Sequence, residues 1–192
     1  MKILKINSSI QTDKSVGRNL VDQLVSRFAN NEKKVIERDL AIGLPLLTQD
    51  LVNAFYTPED KRTDNQKEEL ALSDLLIKEI EDSEIIIMGI PIYNFSVPAS
   101  VKAYFDLIAR VGVTFKYTNE GPVGLFENKK VYVIVTSGGT PFMGDGDFAS
   151  SYIKHFLGFI GITDVNFISA DQLVANSEVQ IENAEKQIAE LV

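Results

Sequence analysis

Apolar residues along this chain gather in two kinds of run, short and nearly continuous or long and periodic, and the two kinds alternate. The least interrupted short run, Glu84 through Ile90 with three consecutive isoleucines, predicts a strand buried on both faces of a parallel sheet. Lys2–Asn7, Lys34–Asp39, Lys130–Thr136 and Asp164–Ser169 read as further strands, and the alternation in Lys34–Asp39 places it near a sheet edge. The periodic runs predict helices. Val16, Leu20, Leu24 and Phe28 recur at helical spacing behind Ser15, which reads as an N-cap. Leu70, Leu72, Leu75, Leu76 and Ile80 mark a helix over Thr63–Asp82. Val101, Tyr104, Phe105 and Ile108 mark another over Ala99–Arg110, with Ser96 as its cap and Pro98 in its first turn. Tyr152, Phe156, Leu157 and Ile160 lie on one side of a helix from about Ala149 to Ile160, and Ser177–Val192 reads as a terminal amphipathic helix.

Five strands joined by helical crossovers predict an α/β fold, a three-layer sandwich around a five-stranded parallel sheet of order 2-1-3-4-5. In that order strands 1 and 3 are neighbours at the topological switch point, where open sheets of this kind bind ligands at the carboxyl ends of their strands. Two long excursions interrupt the alternation. Leu40–Arg62 holds a short helix around Gln49–Phe55, and Val111–Phe126 turns at Asn119–Pro122; connections of this length are usually functional or interface-forming. Phe142–Asp147, with two glycines, reads as a flexible lid.

Composition narrows the chemistry. The chain has 192 residues, 45% of them hydrophobic, which suits one domain over 1–192 with one sizeable core. No run approaches the roughly 18 apolar residues of a membrane span, and Met1-Lys2 leads straight into a strand, so a cytoplasmic location without membrane association is expected. A net charge of −8 opposes binding to nucleic acid. The absence of cysteine removes disulfides, thiolate metal sites and a cysteine nucleophile, and a single histidine, His155, removes most histidine-based metal and triad chemistry. No metal site and no catalytic side chain are expected; a cofactor must supply the chemistry.

The loops after the strands indicate which cofactor. Asn7 through Ser15 is rich in hydroxyls and amides and feeds a helix N-terminus, where unpaired N–H groups and the positive end of the dipole suit a phosphate dianion. The loop is neither a Gly-x-Gly-x-x-Gly fingerprint nor a P-loop, which leaves a terminal phosphomonoester. Tyr93-Asn94-Phe95 follows strand 3 with two rings and an amide, and Ser137-Gly-Gly-Thr140 follows strand 4 with two glycines that let backbone N–H groups approach a ligand edge. Phosphate pocket, aromatic loop and glycine loop in a row describe a site for FMN. Backbone N–H groups near Asn94 and Phe95 are placed for flavin N5 and O4, and those of Gly138 and Gly139 for N1 and O2.

Longer stretches carry a resemblance. Ser8-Ser-Ile10, Pro91-Ile-Tyr-Asn-Phe95, Lys102 through Thr118, Thr136-Ser-Gly-Gly139 and Phe156-Leu-Gly-Phe-Ile-Gly-Ile-Thr-Asp164 are similar to the bacterial FMN-dependent NADH-azoreductases, also called NADH:quinone oxidoreductases. The resemblance spans essentially the whole chain and implies a flavodoxin-like homodimer with two FMN sites at the interface. It implies ping-pong transfer at flavin N5: NADH or NADPH reduces FMN, and a quinone or azo compound then takes the electrons. On that pattern Ser9, Ser15, Val16 and Gly17 hold phosphate. Ile92, Tyr93, Asn94 and Phe95 hold the ring, Ser137, Gly138, Gly139 and Thr140 hold its pyrimidine edge, and Tyr117 and Phe159 line the substrate face, Phe159 from either subunit. Members often carry Ser-x-Ser where this chain has Ser15-Val-Gly17, so a backbone donor stands where a hydroxyl is usual. Some read Thr-Ser-Arg-Gly-Gly where this chain has Thr136-Ser-Gly-Gly-Thr140, which leaves the choice between NADH and NADPH open.

Three other readings share the topology. A flavodoxin-type electron carrier would pass single electrons to a protein partner, but the two long excursions favour a small-molecule pocket. A receiver-like signalling module needs clustered carboxylates after strand 1, where this chain has Asn7 and serines. The third is a flavin-free structural relative.

Overall fold

The structure, a computed structural model, describes residues 2–28 and 34–191. In chain order the elements are β1 (Lys2–Asn7), α1 (Val16–Phe28), β2 (Lys34–Asp39), α2 (Gln49–Tyr56), α3 (Asp64–Glu81), β3 (Ile85–Pro91) and α4 (Ala99–Ile108). They continue with β4 (Phe115–Thr118), β5 (Gly121–Gly124), β6 (Lys130–Thr136), α5 (Phe148–Phe159), β7 (Asp164–Ala170) and α6 (Leu173–Glu190). The central sheet is parallel throughout with order β2-β1-β3-β6-β7. Apart from the small β4–β5 pair this is the expected 2-1-3-4-5 arrangement.

Side chains on successive strand positions point to opposite faces, and that alternation builds two cores. Leu4, Ile6, Ile86, Met88, Ile90, Val131, Val133 and Val135 pack against α3, α4 and α5. Ile3, Ile85, Ile87, Tyr132, Ile134 and Ile168 pack against α1 and α6. All seven residues of β3 are buried, which is why its sequence lacks a polar side. Gly89 in β3 has a separate reason: a methyl there would lie 2.9 Å from Val21 Cγ2 and 3.2 Å from Asn7 Oδ1, so its absence lets α1 approach the sheet.

Where the elements depart from expectation, side chains and tertiary contacts account for it. Thr63 and Gln66 form a reciprocal capping box that starts α3 as predicted, but Leu75, placed on its apolar face, is half exposed. Helix α4 has Pro98 rather than Ser96 as its N-cap, because the backbone of Ser96 is used in a turn with Tyr93. The same helix stops at Ile108, two residues short of Arg110. The Thr114 hydroxyl donates to Ile108 O at 2.7 Å and accepts the Arg110 N–H at 2.9 Å, replacing the next helical turn. Helix α6 begins four residues early, at Leu173, with non-helical φ −141° and ψ 45° at Asn176. Its periodic stripe starts only after that kink, and its expected end at Val192 lies outside the described residues.

The excursion after α4 closes as an antiparallel hairpin, Phe115 opposite Gly124 and Thr118 opposite Gly121. It docks backbone to backbone on the turn after α5: a methyl on Gly124 would lie 1.9 Å from Gly161 N and 2.1 Å from Ile160 C. Gly161 itself has φ +100°, a conformation glycine adopts without a steric penalty. We expect Gly124→Ala to lower the unfolding free energy in urea by about 2 kcal/mol or more, since backbone must move to admit the methyl. Gly158→Ala in α5, where the added methyl meets nothing within 4 Å, should instead raise it by about 0.5 kcal/mol. Similar effects at the two positions would rule out the close approach.

Candidate functional site

The carboxyl ends of β1, β3 and β6 open into one cleft of about 430 Å³. Its walls include Ser9, Ser15, Val16, Gly17, Ile92, Tyr93, Ser137 and Gly138. Eight of the expected site residues are thus brought together. Asn94, Phe95, Gly139 and Thr140 adjoin the wall along the chain without lining it.

At the first loop, Ser8 donates to Gly89 O through both its N–H, at 3.1 Å, and its hydroxyl, at 2.8 Å, tying the end of β1 to β3. The chain then passes Ser9, whose hydroxyl accepts the Gln11 N–H at 3.3 Å, and enters α1 through Lys14 at φ +60°. The Ser15 hydroxyl accepts the Arg18 N–H at 3.3 Å, so it is the expected cap. Among the described residues the Val16 and Gly17 N–H groups donate to no protein acceptor, the normal condition of a first helical turn. Lys14, exposed on the wall, adds positive charge to the positive end of the α1 dipole.

The second loop is a two-residue reversal. Tyr93 and Ser96 exchange backbone hydrogen bonds at 2.9 and 3.1 Å, with Asn94 at φ +49° and Phe95 at φ +71° between them. Positive φ at both central residues is the signature of a type I′ turn, normally filled by Asn and Gly. Phenylalanine in that region costs about 1 kcal/mol or more. The surroundings enforce it: Phe95 O accepts the Phe148 N–H at 3.0 Å, and a methyl on Gly146 would lie 3.4 Å from Phe95 Cδ1. The Asn94 and Phe95 N–H groups have no protein acceptor among the described residues. Tyr93 joins this loop to the first, its hydroxyl accepting the Ile10 N–H at 3.2 Å.

In the third loop the Ser137 hydroxyl is already engaged, donating to Thr140 O and accepting the Gln172 N–H at 3.2 Å. Its part is to shape the loop. Ser137 O and Gly138 O accept the Leu173 and Val174 N–H groups at 3.0 and 2.9 Å, while the Gly138 and Gly139 N–H groups find no protein acceptor among the described residues. All three loops therefore expose N–H donors beside one cleft, as the phosphate, N5 edge and pyrimidine edge of FMN require.

Tyr117 and Phe159 do not line this cleft. Both contact Phe115, with ring centroids at 5.5 and 4.4 Å, on the β4–β5 hairpin, and Tyr117 is 72% exposed. The Phe142–Asp147 segment is not a loose lid. The Phe142 N–H donates to the buried Asp171 at 2.7 Å, and the Met143 N–H to the buried Asp147 at 2.9 Å; Asp147 also accepts the Ser150 N–H and hydroxyl at 2.9 and 2.6 Å.

Sequence reasoning missed several wall residues, among them Ile10, Gln11, Lys14, Thr136, Leu173 and Val174. The signal for Leu173 and Val174 was available, because every parallel strand ends on the same side of the sheet and β7 adjoins β6. It also missed Arg18, which binds Asp39 at 2.7 and 2.9 Å and holds that carboxyl below the usual carboxylate range through these hydrogen bonds.

Known proteins resemble this chain closely. A family model described as Flavodoxin-like fold matches residues 1–192. The protein of Hahella chejuensis named FMN-dependent NADH:quinone oxidoreductase 1 is 48% identical over 190 residues, covering 98% of this chain and 93% of that one. A protein of the same name from a Jannaschia species is 46% identical over 189 residues, covering 98% of this chain and 97% of its own. Among solved structures, an azoreductase from Bacillus anthracis superposes with a TM-score of 0.86 at 25% identity, covering 99% of this chain and 96% of that one.

We expect Asp147→Ala to lower stability by about 1–3 kcal/mol, through the lost cap and stranded amides. Hydrogen exchange at Met143 and Ser150 should accelerate more than in β3. Unchanged protection at both amides would restore the picture of a loose lid.

Proposed function

The chain belongs to the flavodoxin-like family of FMN-dependent NADH:quinone oxidoreductases, and from that membership we propose that it binds FMN in the cleft at the ends of β1, β3 and β6 and uses NADH to reduce quinones and azo compounds. The observation that carries the site assignment is that the three loops at that cleft hold N–H groups without a protein acceptor among the described residues, at Val16 and Gly17, at Asn94 and Phe95, and at Gly138 and Gly139. When bound, FMN would supply the two-electron redox chemistry that links NADH to the quinone or azo acceptor.

The residues of the chain bind and orient. Ser9, Ser15, Val16 and Gly17 receive the phosphate; Ile92, Tyr93, Asn94 and Phe95 hold the ring; Gly138 and Gly139 donate to its pyrimidine edge, and Ser137 and Thr140 keep that loop in shape. No side chain need gain or lose a proton, which agrees with a sequence that has no cysteine and one histidine. Residues 1–192 act as one FMN-binding domain in a cytoplasmic homodimer. Support for the dimer is the surface itself: Tyr117, Phe148 and Phe95 are 72%, 62% and 59% exposed, a cost in water that association would remove. Tyr117 and Phe159, which do not line the cleft of their own chain, line the acceptor pocket of the dimer, Phe159 from either subunit. Among the described residues no helix is long and apolar enough to cross a membrane.

An anaerobic titration of FMN-reconstituted protein tests the activity. NADH should bleach the flavin absorbance, and a quinone should restore it with stoichiometric quinone loss. Flavin that dithionite bleaches but neither NADH nor NADPH does would remove the reductase reading. For the acceptor pocket, Tyr117→Ala should lower kcat/KM for quinone about threefold to tenfold, the range of one aromatic contact, and leave FMN retention unchanged. Weaker FMN retention with an unchanged kcat/KM for quinone at saturating FMN would move Tyr117 to the cofactor site.

A further inference from the structure

Arg18 stands in the first turn of α1, where the helix dipole disfavours a cation and no acidic residue of that turn offsets it. Its position is nevertheless determined by four hydrogen bonds. Nε donates to Gln11 O at 3.0 Å, and Nη2 donates to Ser9 O at 2.7 Å. Nη1 and Nη2 grip Asp39 at the end of β2, at 2.7 and 2.9 Å. Asp39 is anchored in turn, accepting the Ala41 N–H at 2.9 Å. The Arg18 side chain is 14% exposed, and it lines a polar pocket on the β2 side, with Thr12, Asp22 and Asp39, separate from the cofactor cleft.

These contacts act on the loop that crosses the phosphate end of the cleft. A backbone loop can serve an anion only while its carbonyl oxygens face away from it. Ser9 and Gln11 both belong to the cleft wall, and both have their carbonyls captured by Arg18 from the other side. The charge of Arg18 is matched by Asp39, so its effect on an anion in the cleft comes through the shape it imposes.

Resting on the FMN reading above, we propose that Arg18, held by Asp39, is a positioning residue for the flavin phosphate: it holds the Ser9 and Gln11 carbonyls away from the anion that the free Val16 and Gly17 N–H groups receive. Arginine is required because lysine cannot hold a carboxylate with a planar fork while reaching two carbonyls. The role predicts a selective defect, since riboflavin shares the ring of FMN and lacks the phosphate.

The test compares the two flavins by fluorescence quenching on titration into full-length apoprotein of the wild type, Arg18→Lys and Asp39→Asn. Both variants should bind FMN about tenfold or more weakly, the scale of lost hydrogen bonds to charged groups, while riboflavin affinity stays within about twofold. An unchanged ratio of FMN to riboflavin affinity in both variants overturns the proposal, and so does equal loss of both flavins, which would make Arg18 a residue of the fold alone. A wild-type protein that binds riboflavin as tightly as FMN would instead refute the phosphate site on which the proposal rests.

Discussion

A ligand site made of main-chain N–H groups can exist only where the carbonyls alternating with them are bonded elsewhere, and that constraint organises the site proposed for this protein. Each peptide carries a donor and an acceptor, and a loop left to itself presents both. Here the acceptors are taken up loop by loop. Arg18 takes Ser9 O and Gln11 O, the Phe148 N–H takes Phe95 O, and the first turn of α6 takes Ser137 O and Gly138 O. The captors come from α1, α5 and α6, so the helices that flank the sheet also orient its loops. The parallel sheet contributes by delivering the ends of β1, β3 and β6 side by side.

Backbone strain follows the same geography. Among the described residues other than glycine, positive φ occurs at Lys14, Asn94, Phe95, Met143 and Gln172, all in connections after the carboxyl ends of parallel strands; Asn128, before β6, is the exception. Such conformations persist only where the surroundings over-determine them. The buried carboxylates of Asp147 and Asp171, which hold the amides of Met143 and Phe142, are part of that enforcement. A segment that composition marks as mobile is fixed in this way, because glycines give the chain access to unusual conformations without deciding whether hydrogen bonds will then hold it there.

The features legible in the sequence are those with a local cause. Three adjacent isoleucines and the lack of a polar face identified β3, hydroxyls ahead of an amphipathic stripe identified the Ser9–Ser15 loop and its cap, and the count of strands with helical crossovers led to the sheet order. Features set by distant partners left weaker traces. Gly121-Pro-Val-Gly124 has no strand alternation, and pairs with Phe115–Thr118 because Gly124 can lie against Gly161. Thr114 ends α4 through a hydroxyl that no helical pattern records. Arg18 did leave a sign, a cation where the helix dipole opposes one, but its meaning depends on Asp39, which is far along the chain and near only because β2 pairs with β1.

In the proposed dimer, cofactor binding and acceptor choice fall to different parts of the chain. The cleft is formed by loops whose donors are nearly all backbone, so side-chain substitutions there alter its shape more than its chemistry. Tyr117 and Phe159 belong to an aromatic group centred on Phe115 and continued through Phe156 to Phe105, whose stacked rings lie 4.0 Å apart in the core. The hairpin that carries Tyr117 packs on α5 and the turn after it, and lines no part of the cleft. Its surface can therefore change to admit other planar acceptors while the captured carbonyls, and with them the flavin site, stay as they are.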